Sequence, residues 1–187
     1  TIRMKIGIVG SGNVASHLAR ALIKAGYSIA GICSRKLSHA EALLEEINSL
    51  AQTAIATDRI ENLLPTDILI LAINDDSIQD IAQALGKIAP KSCVFHTSGS
   101  TSLKVLSEYL PHCGVLYPLQ TFSKDRKVDF SSVPLFIEAS DEPTQELLHS
   151  IALNLSKRVI EMDSEQRKRM HLAAVFACNF VNHCYVL

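Results

Sequence analysis

The turn Gly10-Ser11-Gly12-Asn13-Val14-Ala15 constrains this chain more than any other feature, because of what stands on either side of it. Before it, Met4–Val9 is a short apolar run of strand character. After it, Asn13–Ala25 places Val14, Leu18, Ala21, Leu22 and Ala25 on one helical face, and Gly26 closes the stretch as a C-terminal glycine does. A second β-branched run follows at Ser28–Cys33, so the segment reads as a strand-helix-strand unit. In that setting each small residue has a task. Gly10 permits the tight turn, Gly12 lets a ligand approach the backbone, and Ala15 lets the helix lie close on the sheet. The helix N-terminus offers unpaired N–H groups and partial positive charge, which suits a pyrophosphate. The spacing predicts a dinucleotide-binding turn made by Gly10, Ser11, Gly12, Asn13 and Val14.

The same alternation continues downstream. Strands are expected at Ala54–Ala56, Asp67–Ile73, Cys93–His96, Gly114–Tyr117, Leu135–Glu138 and Arg158–Glu161, and helices at Ser38–Leu50, Ser77–Leu85, Ser102–Tyr109 and Pro143–Asn154. Asp67–Ile73 is nearly all aliphatic, as a central strand covered on both faces should be. The expected fold is α/β: a Rossmann-type doubly wound, mostly parallel sheet over residues 1–162, followed by the start of an all-helical domain over 163–187. From Ser164 the pattern is one long helix with no Gly or Pro up to Leu187. Its apolar residues Phe176, Phe180, Val181, Tyr185 and Val186 lead us to expect a continuing chain or a covering partner, such as the same helix of a second copy in a homodimer.

Composition excludes several classes. With 18 Lys+Arg against 19 Asp+Glu, the chain lacks the basic excess that would point to nucleic acid. Its five cysteines form no CxxC pair and its seven histidines show no HxxxH spacing, so no metal centre or disulfide framework is expected. The longest apolar run, Ile68–Ile73, is far short of the roughly 20 residues of a spanning helix. A soluble, cytoplasmic protein is expected, with a small molecule as its substrate.

At the end of the second strand stand Ser34-Arg35-Lys36, where an NAD enzyme usually places an acid for the ribose 2′-hydroxyl. A hydroxyl and a guanidinium suit a 2′-phosphate instead, so Ser34 and Arg35 favour NADP. Asn74 and Asp75 follow the fourth strand at the same sheet edge. Asn74 is placed to meet the nicotinamide ribose, and Asp75 and Asp76 serve equally well as helix caps.

His96-Thr97-Ser98-Gly99-Ser100 leaves the fifth strand, and Tyr117-Pro118-Leu119-Gln120-Thr121-Phe122 leaves the sixth. Strand ends converge, so His96 and Ser98 are candidates for proton transfer in a shared cleft, although both also suit plain strand-end and capping roles. On the last helix, His171, Asn179 and Asn182 fall on one stripe, which a substrate or an interhelical hydrogen bond would satisfy. Arg167-Lys168-Arg169 reads as a solvated face.

With those motifs placed, the chain resembles a family: NADP oxidoreductases with a Rossmann-like N-terminal domain and a helical C-terminal domain of unknown function. These are similar to deazaflavin-dependent NADP reductases, pyrroline-carboxylate reductases and 6-phosphogluconate dehydrogenases. The resemblance rests on the glycine turn, Ser34-Arg35, His96–Ser100, Tyr117–Phe122 and the His171–Asn179 helix. It implies NADPH as cofactor and a cleft between the sheet edge and a helical dimerisation domain. One departure matters. The hydroxyacid relatives carry a catalytic lysine four residues before the helix asparagine, and here Val175 stands four before Asn179. If the chain is an enzyme, His96, Ser98 or His171 must supply the proton or another route must exist; the alternative is a non-catalytic NADP-binding regulatory or scaffold protein.

Overall fold

The computed structural model describes residues 4–47, 53–88, 91–124 and 128–185, with side chains of the last helix described through Asn179. Eight described strands, β1 (Lys5–Val9), β2 (Ser28–Cys33), β3 (Ile55–Thr57), β4 (Ile68–Leu71), β5 (Cys93–His96), β6 (Cys113–Pro118), β7 (Leu135–Ala139) and β8 (Val159–Glu161), form one sheet. Their order is β3-β2-β1-β4-β5-β6-β7-β8, and every pair is parallel except β6 with β7. The fold is therefore the expected mostly parallel α/β sheet. Because β1 lies between β2 and β4, the chain winds away from it in both directions, and the crevice beyond its carboxyl end is where such sheets take ligands.

The helices are α1 (Asn13–Lys24), α2 (Leu37–Ile47), α3 (Asp75–Ile88), α4 (Lys104–Ser107), α5 (Glu142–Leu155) and α6 (Ser164–Tyr185). They cover both faces of the sheet. Along β4, Ile68 and Ile70 join the core beneath α1, α2 and α5, while Leu69 and Leu71 join the one beneath α3 and α4. All four are essentially fully buried, which is why the strand reads as a continuous aliphatic run. α1 buries Ala15, Leu18, Ala19 and Leu22. It ends in a Schellman motif, in which Tyr27 N–H bonds the Leu22 carbonyl, Gly26 N–H bonds that of Ile23, and Gly26 takes φ +93.

Most element boundaries differ from expectation by one to three residues, and two of the differences have a clear physical reason. α3 starts at Asp75 rather than Ser77, because Asp75 and Asp76 occupy its first turn, where the helix dipole favours carboxylates. Pro118 is the last residue of β6 rather than its stop. The pairing with β5 ends at Val115, so no neighbour there calls for the N–H that proline lacks.

Candidate functional site

The glycine turn has the form its spacing predicts. Gly10 takes φ +118, and a Cβ there would lie 2.0 Å from the carbonyl oxygen of Ala72 at the end of β4. Gly12 is different: its backbone is ordinary (φ −82, ψ −169), and a Cβ there would meet nothing within 4 Å. The open space lies at the N-terminus of α1, where Gly12 is the cap residue and no side chain caps the helix. Free N–H groups beside a face left open by glycine fit a pyrophosphate. The turn is also tied to its surroundings. Ser11 Oγ lies 3.0 Å from Ser34 Oγ, and Asn13 Nδ2 donates to the Phe122 carbonyl at 3.1 Å.

Ser34 thus stands at the turn, while Arg35 and Lys36 are exposed. Arg35 makes no hydrogen bond or ion pair among the described residues, which leaves its guanidinium available to an anion. At the carboxyl end of β4, Asn74 and Asp75 are both exposed, and Asp75 Oδ2 accepts from Ser100 Oγ. Asn74 uses its carbonyl, not its amide, to start α3, accepting from Ser77 N–H at 2.9 Å. On the outer flank of α1, a groove of about 830 Å³ reaches Ser11, Gly12 and Asn13 but includes no residue from the ends of β4, β5 or β6.

The ends of β5 and β6 and the first turns of α6 do come together. Tyr117 Oη lies 2.7 Å from His171 Nδ1, and the rings meet edge to face at 5.6 Å. Both sit on Gly99, where a Cβ would lie 2.5 Å from His171 Nδ1 and 2.6 Å from Tyr117 Cζ. Burial pushes the Tyr117 phenol up to about 12, with Arg167 opposing the shift and Asp75 adding to it. The phenol therefore keeps its proton at neutral pH, and the imidazole tautomer decides whether it donates to Nδ1 or accepts from Nδ1–H.

His96 and Ser98 hold this loop rather than face an opening. His96 is fully buried, and its Nδ1 accepts from Ser98 N–H at 3.1 Å, which leaves the ring proton on Nε2 without a partner. Burial, and then the nearby Arg167 cation, push its pKa from 6.5 down to about 3. Ser98 Oγ accepts from the N–H groups of Ser100 and Thr101 and donates to Thr101 Oγ1, so the hydroxyl is spent in the turn.

In the charge run on α6, Lys168 and Arg169 are exposed as expected from sequence, but Arg167 is fully buried. It donates to Glu138 Oε2 at 2.6 Å and to the Thr101 carbonyl at 2.6 Å. Sequence reasoning missed it because a basic triplet on a helix ordinarily faces water. Tyr117 was placed at the right sheet edge, but nothing local marks it as a partner of His171. Asn179 is exposed and lies eight residues beyond His171, about 12 Å along the helix, so the structure does not bring it to this cluster. The side chains of Phe180, Val181, Asn182 and Tyr185, and all of Val186 and Leu187, lie outside the described residues. Phe122 is buried against Phe130 and His17.

Comparison with known proteins agrees with this geometry. Residues 5–95 match the family described as NADP oxidoreductase, coenzyme F420-dependent, and residues 133–187 match a domain of unknown function (DUF2520). The presumed NADP oxidoreductase BF3122 from Bacteroides fragilis is 39% identical over 98% of this chain and 70% of its own, with a TM-score of 0.86. A pyrroline-5-carboxylate reductase from Coxiella burnetii shares the fold at 19% identity and TM-score 0.65, over 87% of this chain and 60% of its own. So does an imine reductase from Myxococcus stipitatus in complex with NADP+, at 13% identity and TM-score 0.74, over 97% and 63%. No curated protein matches. The fold and the turn define a dinucleotide-binding oxidoreductase domain, and the chain belongs to the NADP oxidoreductase family that pairs this domain with DUF2520. It spans between three fifths and seven tenths of the length of these solved relatives.

Proposed function

We propose that this chain binds NADP(H) along the carboxyl edge of its sheet and serves hydride transfer between the nicotinamide and a small carbonyl or imine, with Tyr117 and His171 handling the proton. The observation that carries the reading is the 2.7 Å Tyr117–His171 hydrogen bond at the end of β6, on the same sheet edge as the glycine turn. Gly10, Ser11, Gly12, Asn13 and Val14 would hold the pyrophosphate, Ser34 and Arg35 the 2′-phosphate, and Asn74 and Asp75 the border of the nicotinamide ribose. Bound NADPH supplies the hydride. Tyr117 keeps its proton at the sheet edge, and His171, hydrogen-bonded to it, is the group through which that proton is replaced. His96 and Ser98 support the loop beneath them.

We place the domain boundary near residue 162, with α6 opening a helical unit that pairs with a second copy in a homodimer in the reducing cytoplasm. Leu172, Val175 and Phe176, at 55%, 40% and 67% exposure, form the face for that contact, and light scattering on the full chain tests it.

The functional test has two arms. Fluorescence titration should show NADPH bound more tightly than NADH. With a panel of cyclic imines and small ketones, Tyr117→Phe and His171→Ala should each lose about 10²–10⁴-fold in turnover while NADPH affinity holds. Tight NADPH binding with no turnover of any acceptor would make the chain a nucleotide-responsive regulator and refute the reading.

A further inference from the structure

We propose that Arg167 is the positioning residue for the Tyr117–His171 pair, fixing α6 against the connection between β5 and α4 so that the imidazole meets the phenol. The inference rests on the reading of that pair as the proton device. Among the described side chains of α6, residues 164–179, Arg167 is the only one that is buried. Met170, Leu172, Val175 and Phe176 are all exposed, at 40% or more, so apolar packing contributes little to where this stretch of helix lies on the sheet domain. Polar contacts carry the rest.

Those contacts converge on one guanidinium. One nitrogen, Nη1, donates to Glu138 Oε2 on β7 at 2.6 Å. The other, Nη2, donates to the Thr101 carbonyl at 2.6 Å and to Ser164 Oγ at 3.3 Å. Ser164 completes the knot, donating to Glu138 Oε2 at 2.8 Å and accepting from Leu103 N–H at 2.9 Å. A planar fork can hold a carboxylate and a carbonyl in fixed directions, whereas an ammonium is a point charge without that geometry. The grip acts where the site needs it. Arg167 and His171 are i and i+4 on one helical face, and the loop held through Thr101 includes Gly99, on which His171 and Tyr117 both rest. Loss of the grip frees the helix and the loop to part, and the 2.7 Å contact with them.

The test uses the full chain labelled with ¹⁵N-histidine. Tyr117→Phe sets the reference by moving the Nδ1 resonance of His171 to its unbonded position. Arg167→Met should move it to the same position while NADPH affinity stays within twofold. A folded Arg167→Met that keeps the wild-type His171 resonance overturns the proposal. Should that variant fail to fold, Arg167→Met combined with Glu138→Leu removes the carboxylate left without its partner, and the same two outcomes decide. The two readings fail separately. If Arg167→Met shifts the resonance but Tyr117→Phe reduces acceptors at the wild-type rate, positioning stands and the proton role falls; an unmoved resonance sinks positioning whatever the activity.

Discussion

Acidification should unfold this protein partly through one side chain, His96. In the native state its imidazole is fully buried, uses Nδ1 to accept from Ser98 N–H, and lies near the Arg167 cation, so it stays neutral down to about pH 3. In the unfolded chain it titrates near 6.5. Because the native pKa is depressed, the unfolded state binds the extra proton, and stability is full above pH 6.5 and declines as pH falls toward 3. Between pH 7 and pH 5 the loss from this group is about 2 kcal/mol. With a urea dependence of about 2 kcal/mol/M, that moves the unfolding midpoint by about 1 M. The comparison is His96→Asn, whose Oδ1 can accept from Ser98 N–H while the group no longer titrates. Urea curves for both proteins at pH 5, 6, 7 and 8 separate this effect from the remaining histidines and carboxylates, which are common to both. The variant should be less stable at pH 7 and should show a flatter pH dependence by about that 2 kcal/mol. Equal slopes would mean that His96 is protonated in the folded state near pH 6, and the account of its burial would fail.

Three further outcomes follow from the site. Gly12→Leu should leave thermal unfolding within a degree or two, since its Cβ enters open space, yet lower NADPH affinity by about 100-fold or more in a fluorescence titration. Arg35→Ala should weaken NADPH by about 10- to 100-fold, the worth of a charged hydrogen bond to phosphate, and change NADH little; calorimetry with both cofactors measures the ratio. Gly99→Ala pushes a methyl between Tyr117 and His171, so acceptor reduction should fall at least tenfold with NADPH affinity intact, as steady-state kinetics beside binding would show.

What could be read in advance follows the range of the forces involved. The strand-turn-helix unit is local: the Gly10 turn, α1 and the Gly26 closure are set by residues within a few positions, and each stands where the sequence placed it. The mostly parallel sheet followed from the alternation of strands and helices, but the antiparallel entry of β7 did not, because Leu135–Ala139 carries no mark of its direction. The polar cluster is the opposite case. Tyr117 meets His171 across 54 positions and Arg167 meets Thr101 across 66. Neither pair has a spacing rule, and the burial of Arg167 depends on Glu138 and Ser164 being present to neutralise and bond it. A guanidinium without those partners would stay in water, which is where the sequence alone put it.

Three glycines show how differently one residue type bears on this site. Gly10 is demanded by the fold itself: φ +118 and the Ala72 carbonyl exclude a side chain whether or not a ligand is present. Gly12 is demanded by nothing in the protein, and its backbone would accept any residue, so what it serves is whatever fills the space at the start of α1. Gly99 is demanded by contact between two side chains distant in sequence, one from β6 and one from α6. The first constraint is visible in the motif, the second becomes visible only as an unfilled space, and the third only when the two elements have met. A fold that needed only to pack would require the first alone. The other two, following β1 and β5 with only β4 between those strands, are what a cofactor and a proton device together would impose.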